Sequence, residues 1–108
     1  MVPDTVTIPR RKPLATPDTS VDRGWKVLLF NDDVTPLTVV IFGLQRAAGL
    51  SVEVADMVAL EAHREGEAVV RRGLTEEDAQ VICGGLRKWT RVEGVCPGVH
   101  CEAKPDDP

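Results

Sequence analysis

The apolar run Trp25–Phe30 stops abruptly at Asn31-Asp32-Asp33, and a second apolar stretch begins only after Thr35-Pro36. Six apolar-rich residues ending in polar turn formers have the length and flanks of a buried strand. Beyond the interruption, Leu37, Val40, Ile41, Leu44 and Ala48 recur at helical spacing. Thr35 is placed to act as N-cap and Pro36 as the first helical residue. The β-branched run Thr38-Val39-Val40-Ile41 pulls the other way, but the cap, the length and the period favour a helix, which Gly49 ends. An amide and two adjacent carboxylates therefore stand where a buried strand hands over to a helix.

The remaining elements follow from caps and periods. Ser51 caps a second helix, with Glu53 and Asp56 near its start where the helix dipole favours them. His63-Arg64-Glu65-Gly66 closes it. Ala68-Val69-Val70 forms a short strand, and Arg71-Arg72-Gly73 a turn. Thr75-Glu76-Glu77-Asp78 opens a third helix with a core stripe of Ala79, Ile82, Cys83, Leu86 and Trp89. Gly84-Gly85 inside it costs about 1 kcal/mol per glycine relative to alanine, and the sequence offers no reason for the pair beyond close packing. After a turn at Pro97-Gly98, Val99, Cys101 and Ala103 alternate with His100, Glu102 and Lys104, as in a strand with one wet face. The order strand-helix-helix-strand-helix-strand implies an α+β fold: a compact three-stranded antiparallel sheet with three helices on one face.

The chain has 108 residues, enough for one domain with a modest core. Its net charge of −4 argues against general nucleic-acid binding. No apolar stretch approaches the ~20 residues of a membrane span, and residues 1–23 lack the apolar centre of a signal peptide. An odd set of three cysteines fits reduced thiols and a cytoplasmic location. Residues 1–23, with prolines at 3, 9, 13 and 17 and the solvated cluster Arg10-Arg11-Lys12, are expected to be a flexible arm. Residues 24–104 form the folded domain and 105–108 a disordered tail.

Locally, Asn31-Asp32-Asp33 reads either as a polar turn capping the next helix or as a small cation site. An ammonium at 4 Å from one carboxylate gains roughly 4 kcal/mol before desolvation at an effective dielectric of 20. Ala59, Ala62 and His63 share one edge of the second helix. The two alanines leave room beside the imidazole, for a pocket or for a close helix contact, and a histidine here also suits a helix C-terminus. Cys96, His100 and Cys101, with Cys83 or His63, have no common zinc spacing. No nucleophile stands in a recognisable setting beside His63, so no catalytic residue is assigned.

Three stretches, KVLLFNDDVTPLTVVIFGLQRAAG, AHREGEAVV and LTEEDA, together resemble the ClpS family, adaptors of the bacterial AAA+ Clp proteases. The similarity covers about Lys26 to Cys101. It implies the α+β fold above and recognition of an N-degron, a substrate chain whose first residue is bulky and apolar. By the resemblance, Asn31, Asp32 and His63 hold the α-amino group and Asp33 supports the turn and its negative field. Thr35, Leu37, Val40, Gly43, Ala59 and Ala62 line the side-chain pocket, and Thr35 and Pro36 match the motif's turn-and-cap positions. Glu77 matches a position that docks on the N-domain of a Clp-type AAA+ unfoldase, whereas Ile82 stands where lysine is common. Leu37 replaces a frequent methionine, and Gly43, Ala59 and Ala62 are small for this lining. Two outcomes are open: a working degron adaptor with a wide pocket, or an interaction module that has lost degron recognition. Neither needs a cofactor, metal, nucleic acid or membrane.

Overall fold

Strand β1 (Trp25–Phe30) is the middle of a three-stranded antiparallel sheet ordered β2-β1-β5, with β2 at Glu67–Leu74 and β5 at His100–Pro105. The computed structural model describes residues 22–106; the arm expected over 1–23 falls almost wholly outside them, as do residues 107 and 108. Val27 and Leu29 of β1 pack into the core shared with the helices, as do Val99 and Cys101. His100, Glu102 and Lys104 face out, the period-two alternation of a half-wet strand.

Helices α1 (Leu37–Ala48), α2 (Val52–Glu65) and α3 (Glu76–Trp89) supply the rest of the core through Leu44, Ala48, Ala55, Val58, Ala79, Cys83 and Leu86. Their ends are set by local chemistry. Ser51 Oγ accepts from the Val54 amide, and Thr75 Oγ1 from the Asp78 amide. Gly49 and Gly66 close α1 and α2 in the left-handed conformation, at φ 68° and 95°.

Several expectations are corrected. Arg71-Arg72-Gly73 is strand, not turn: β2 runs through it to Leu74, and Gly73, at φ 69°, lies where the register with β1 slips between Trp25↔Leu74 and Val27↔Arg71. The slip is a bulge, and Arg71 Nε reaches across to cap the Ala48 carbonyl at 2.7 Å. The folded chain also passes residue 104. β5 continues to Pro105, and Asp106 bonds Lys26 Nζ at 3.2 Å and Arg72 Nη1 at 2.7 Å while its amide donates to the Gly24 carbonyl. Arg72 and then Lys26 hold the Asp106 carboxyl below its ordinary range. Trp89 is 38% exposed rather than core, because Thr90, four residues after Leu86, takes the inward position. A two-stranded hairpin, β3 (Arg91–Val92) with β4 (Cys96–Pro97), was not anticipated.

The glycine pair separates into two cases. A Cβ on Gly85 would lie 3.1 Å from Ala47 Cβ, so the contact of α3 with α1 needs the missing side chain; a Cβ on Gly84 would meet open space. On the facing helix, a Cβ on Gly43 would overlap Thr90 Cγ2. Between α3 and β5, Cys83 and Cys101 face each other with sulfurs 2.9 Å apart, both buried and unbridged. Burial first, then the hydrogen bond with Cys83, pushes the Cys101 thiol up to about 12.

Two outcomes follow for stability. Gly84→Ala should raise the unfolding free energy by about 0.5–1 kcal/mol, whereas Gly43→Ala should lower it by about 1–3 kcal/mol through overpacking. Urea titrations of both variants check this, and equal effects would contradict the packing described. Because the Cys101 thiol ionises near 9 when unfolded but near 12 when folded, its contribution is intact below about pH 9 and is lost as pH climbs towards 12. The wild type should therefore lose more stability between pH 8 and 11 than Cys101→Val does, as read by urea midpoints.

Candidate functional site

The site is assembled where the pairing of β1 with β2 runs on past Phe30↔Glu67. At the end of β1 the Asn31 amide donates to the Gly66 carbonyl at 2.9 Å. Gly66 is the residue after α2 and its own amide returns to Ala62 O at 2.9 Å. His63 lies three residues before Gly66, so the contact brings the last turn of α2 beside Asn31.

The next residues form a tight polar turn. Asp32 Oδ1 accepts from the amides of Val34 (2.8 Å) and Thr35 (2.6 Å), and Oδ2 accepts from Thr35 Oγ1 at 3.0 Å. This is an Asx-type turn closed by a carboxylate. It corrects the capping expectation. Thr35 stands one residue before the N-cap and its hydroxyl donates to Asp32; Pro36 holds the N-cap position without a side-chain bond, and α1 starts at Leu37. The amides of Val39 and Val40 are satisfied by the Pro36 carbonyl at 3.0 and 3.1 Å.

A pocket of about 250 Å³ opens against this turn. Asn31, Asp32, Asp33, Thr35 and His63 form its polar side; Leu37, Val40, Ala59 and Ala62 are among its apolar lining. Ala59 and Ala62 are buried to 2% and 3% exposure, so the wall they form carries only methyl groups. Leu37, 39% exposed, stands at the rim. Gly43 is corrected: it does not line the pocket but abuts Thr90 on the side of α1 that meets α3. Glu77 lies on the exposed first turn of α3, apart from the pocket, and Ile82 is half-buried against the core.

Leu29, Phe30 and Val99 also line the pocket and were not singled out from sequence. Leu29 had a usable signal, since alternation along β1 puts Leu29 and Asn31 on the same face. Val99 had none: it is set in place by its amide, which donates to the buried Thr90 Oγ1 at 2.9 Å.

Chemically the cleft pairs an apolar cavity with two carboxylates, an amide and an imidazole. Asp32 Oδ2 makes one bond within the turn and retains acceptor capacity. The arrangement suits a ligand that is cationic at one end and apolar next to it. The thiols lie outside the pocket lining, and the second imidazole, His100, backs one of its walls. The Cys96 thiol donates to the Thr90 carbonyl at 3.2 Å, and His100 packs on Phe30 with ring centroids 5.0 Å apart. Among the described residues no three His, Cys, Asp or Glu side chains are grouped to hold a metal, and no helix is long and apolar enough to cross a membrane.

A family model described as "ATP-dependent Clp protease adaptor protein ClpS" matches residues 20–102. The chain is similar to the ATP-dependent Clp protease adapter protein ClpS of Zymomonas mobilis, 39% identical over 54 residues, 50% of each chain. It is similar to that of Aromatoleum aromaticum, 51% identical over 45 residues, 42% of this chain and 44% of the other. ClpS 2 of Mesorhizobium japonicum is 38% identical over 69 residues, 64% of this chain and 66% of the other. The match thus spans from under half to about two thirds of these relatives' length. Among solved structures, that of Agrobacterium tumefaciens ClpS2 bound to L-phenylalaninamide superposes with a TM-score of 0.58 at 27% identity, covering 75% of this chain and 94% of that one.

The three bonds to Asp32 make a specific demand. Asp32→Ala should lower the unfolding free energy by about 1–2 kcal/mol, or several degrees in melting temperature for a domain this size. Asp32→Asn, which keeps an acceptor oxygen, should lose less. A melting temperature unchanged in Asp32→Ala would show that the turn does not rest on this carboxylate.

Proposed function

The chain belongs to the ClpS family of ATP-dependent Clp protease adaptors, and from that premise we propose that it binds the first residue of substrate polypeptides and hands them to a Clp-type AAA+ unfoldase. The observation that carries this is the adjacency of the polar rim at Asn31, Asp32, Asp33 and His63 to the apolar cavity over Ala59 and Ala62. A free α-amine has a pKa of about 8 and is mostly cationic at neutral pH; an internal amide is neutral. The rim therefore selects a chain terminus, and the cavity selects its side chain. The related Agrobacterium tumefaciens chain is bound to L-phenylalaninamide, which joins a free α-amine to a benzyl group and supports this division.

Magnitudes assign the roles. Burying a Leu or Phe side chain contributes roughly 1.5–3 kcal/mol. An exposed ion pair is worth about 0–1 kcal/mol, so the amine contributes more to discrimination than to strength. Asn31 offers an amide oxygen and His63 a ring nitrogen, while Asp32 and Asp33 supply the field. Glu77, on a different element from the pocket, is the residue assigned to the unfoldase N-domain, which leaves the pocket free during docking. The adaptor acts in the cytoplasm and performs no covalent step.

The test is fluorescence anisotropy with peptides that differ only at residue one. Peptides beginning with Leu, Phe, Trp or Tyr should bind, and their N-acetylated forms should bind more weakly, by up to about fivefold. His63→Ala should lose binding with the melting temperature unchanged. Equal binding of acetylated and free peptides would overturn the proposal, and no binding of any would leave an interaction module without degron recognition.

A further inference from the structure

Phe42 and Trp89 stand exposed on the outer side of α1 and α3, away from the degron pocket. They are 42% and 38% exposed and meet edge to face with centroids 5.9 Å apart. Neither is needed by the core, which α1 reaches through Gly43, Leu44 and Ala48. The Arg46 guanidinium lies 5.3 Å from the Phe42 ring and 5.2 Å from the Trp89 ring, and Lys88 Nζ lies 5.4 Å from Trp89. A groove of about 470 Å³ runs beside them, bounded by Val39, Phe42, Lys88, Trp89, Arg91 and Val92. No carboxylate lines it.

Its charge is the decisive feature. The chain carries −4 overall, yet this groove gathers Arg46, Lys88 and Arg91 at its edge. The ion pairs among the described residues involve Lys26, Arg72 and His100 and none of these three. An arginine backed by aromatic rings keeps edge donors available for two-pronged bonding to a carboxylate. Aromatic residues and arginine are also the types that carry binding energy at protein interfaces. We propose that this groove is a second recognition surface, which docks an acidic segment of a partner protein: carboxylates on Arg46, Lys88 and Arg91, and an apolar side chain against Phe42 and Trp89. A protein segment is favoured over a nucleic acid because three cations on a net acidic chain make a poor track for a phosphate backbone. Leu37 and Val40 serve the degron pocket while Thr38, Val39 and Phe42 line this groove, so both sites can be occupied together.

The full chain, labelled with nitrogen-15, is titrated with a short N-acetylated, C-amidated peptide alternating glutamate and leucine. Acetylation removes the free amine, so failure here is separate from failure of the degron site. Saturable shifts are expected at the Trp89 indole N–H and at amides near Arg46 and Arg91, weakened by salt. Arg46→Glu should weaken this binding at least tenfold while leaving the affinity for a Phe-first peptide unchanged, and should lower the melting temperature by only a few degrees, because Arg46 stands in the last turn of α1. If Arg46→Glu misfolds, Arg91→Glu gives the same readout. The proposal is overturned by absent shifts at millimolar peptide, by shifts elsewhere, by equal binding of a lysine-for-glutamate peptide, or by indifference to both variants. Stronger shifts of the same resonances by oligodeoxythymidine would assign the groove to nucleic acid. Self-association in sedimentation, lost in Arg46→Glu, would assign it to a second copy.

Discussion

The bond from the Asn31 amide to the Gly66 carbonyl joins the end of the central strand to the residue that closes α2. It extends the pairing of Phe30 with Glu67 by one residue, and together they set the two halves of the polar rim side by side. Gly66 can receive the bond because its positive φ turns the chain out of the helix and directly into β2, whose first residue, Glu67, pairs with Phe30. One left-handed glycine thus ends a helix, starts a strand and sets the position of His63 relative to Asn31. The pocket is a by-product of how the sheet and α2 are joined.

Asp32 carries two loads. Its carboxylate holds the turn from β1 to α1 through three short-range bonds, and it contributes one of the two charges facing the cleft. The structural load is local and orients the group; the electrostatic load needs that orientation to be useful. A carboxylate already anchored by the backbone loses little rotamer freedom when a ligand arrives. Asp33, exposed and without such anchoring, adds field but no fixed geometry.

Features governed by neighbours in sequence were legible before the fold was known. The caps at Ser51 and Thr75, the glycine stops at Gly49 and Gly66 and the grouping of Ala59, Ala62 and His63 depend on contacts within about four residues. β1 showed itself by its apolar run and polar flanks although its partners are distant. Features decided by competition or by distant partners were not. Thr35 looked like the cap of α1, but the helix starts one residue later than its pattern suggests, with Pro36 at the N-cap. Gly73 resembled a turn glycine because a bulge and a turn both demand positive φ. Gly43 was placed in the lining by family resemblance alone, which does not show that this side of α1 faces α3, where Thr90 fills the space. Two-residue strands such as β3 and β4 carry no period at all. Val99 reached the pocket through a hydrogen bond to a residue nine positions away.

The pocket draws its walls from β1, the turn after it, α1, α2 and the approach to β5, segments spread over most of the domain. The unfolded polypeptide has no such cleft. Ligand occupancy and folding are consequently linked equilibria: whatever fills the cleft also holds α1, α2 and the sheet together. At a hundredfold excess over the dissociation constant that linkage amounts to about 2.7 kcal/mol, a sizeable fraction of what keeps a small domain folded. A domain whose cleft were filled would be intrinsically harder to unravel than an empty one, which would be a useful asymmetry beside an unfolding machine.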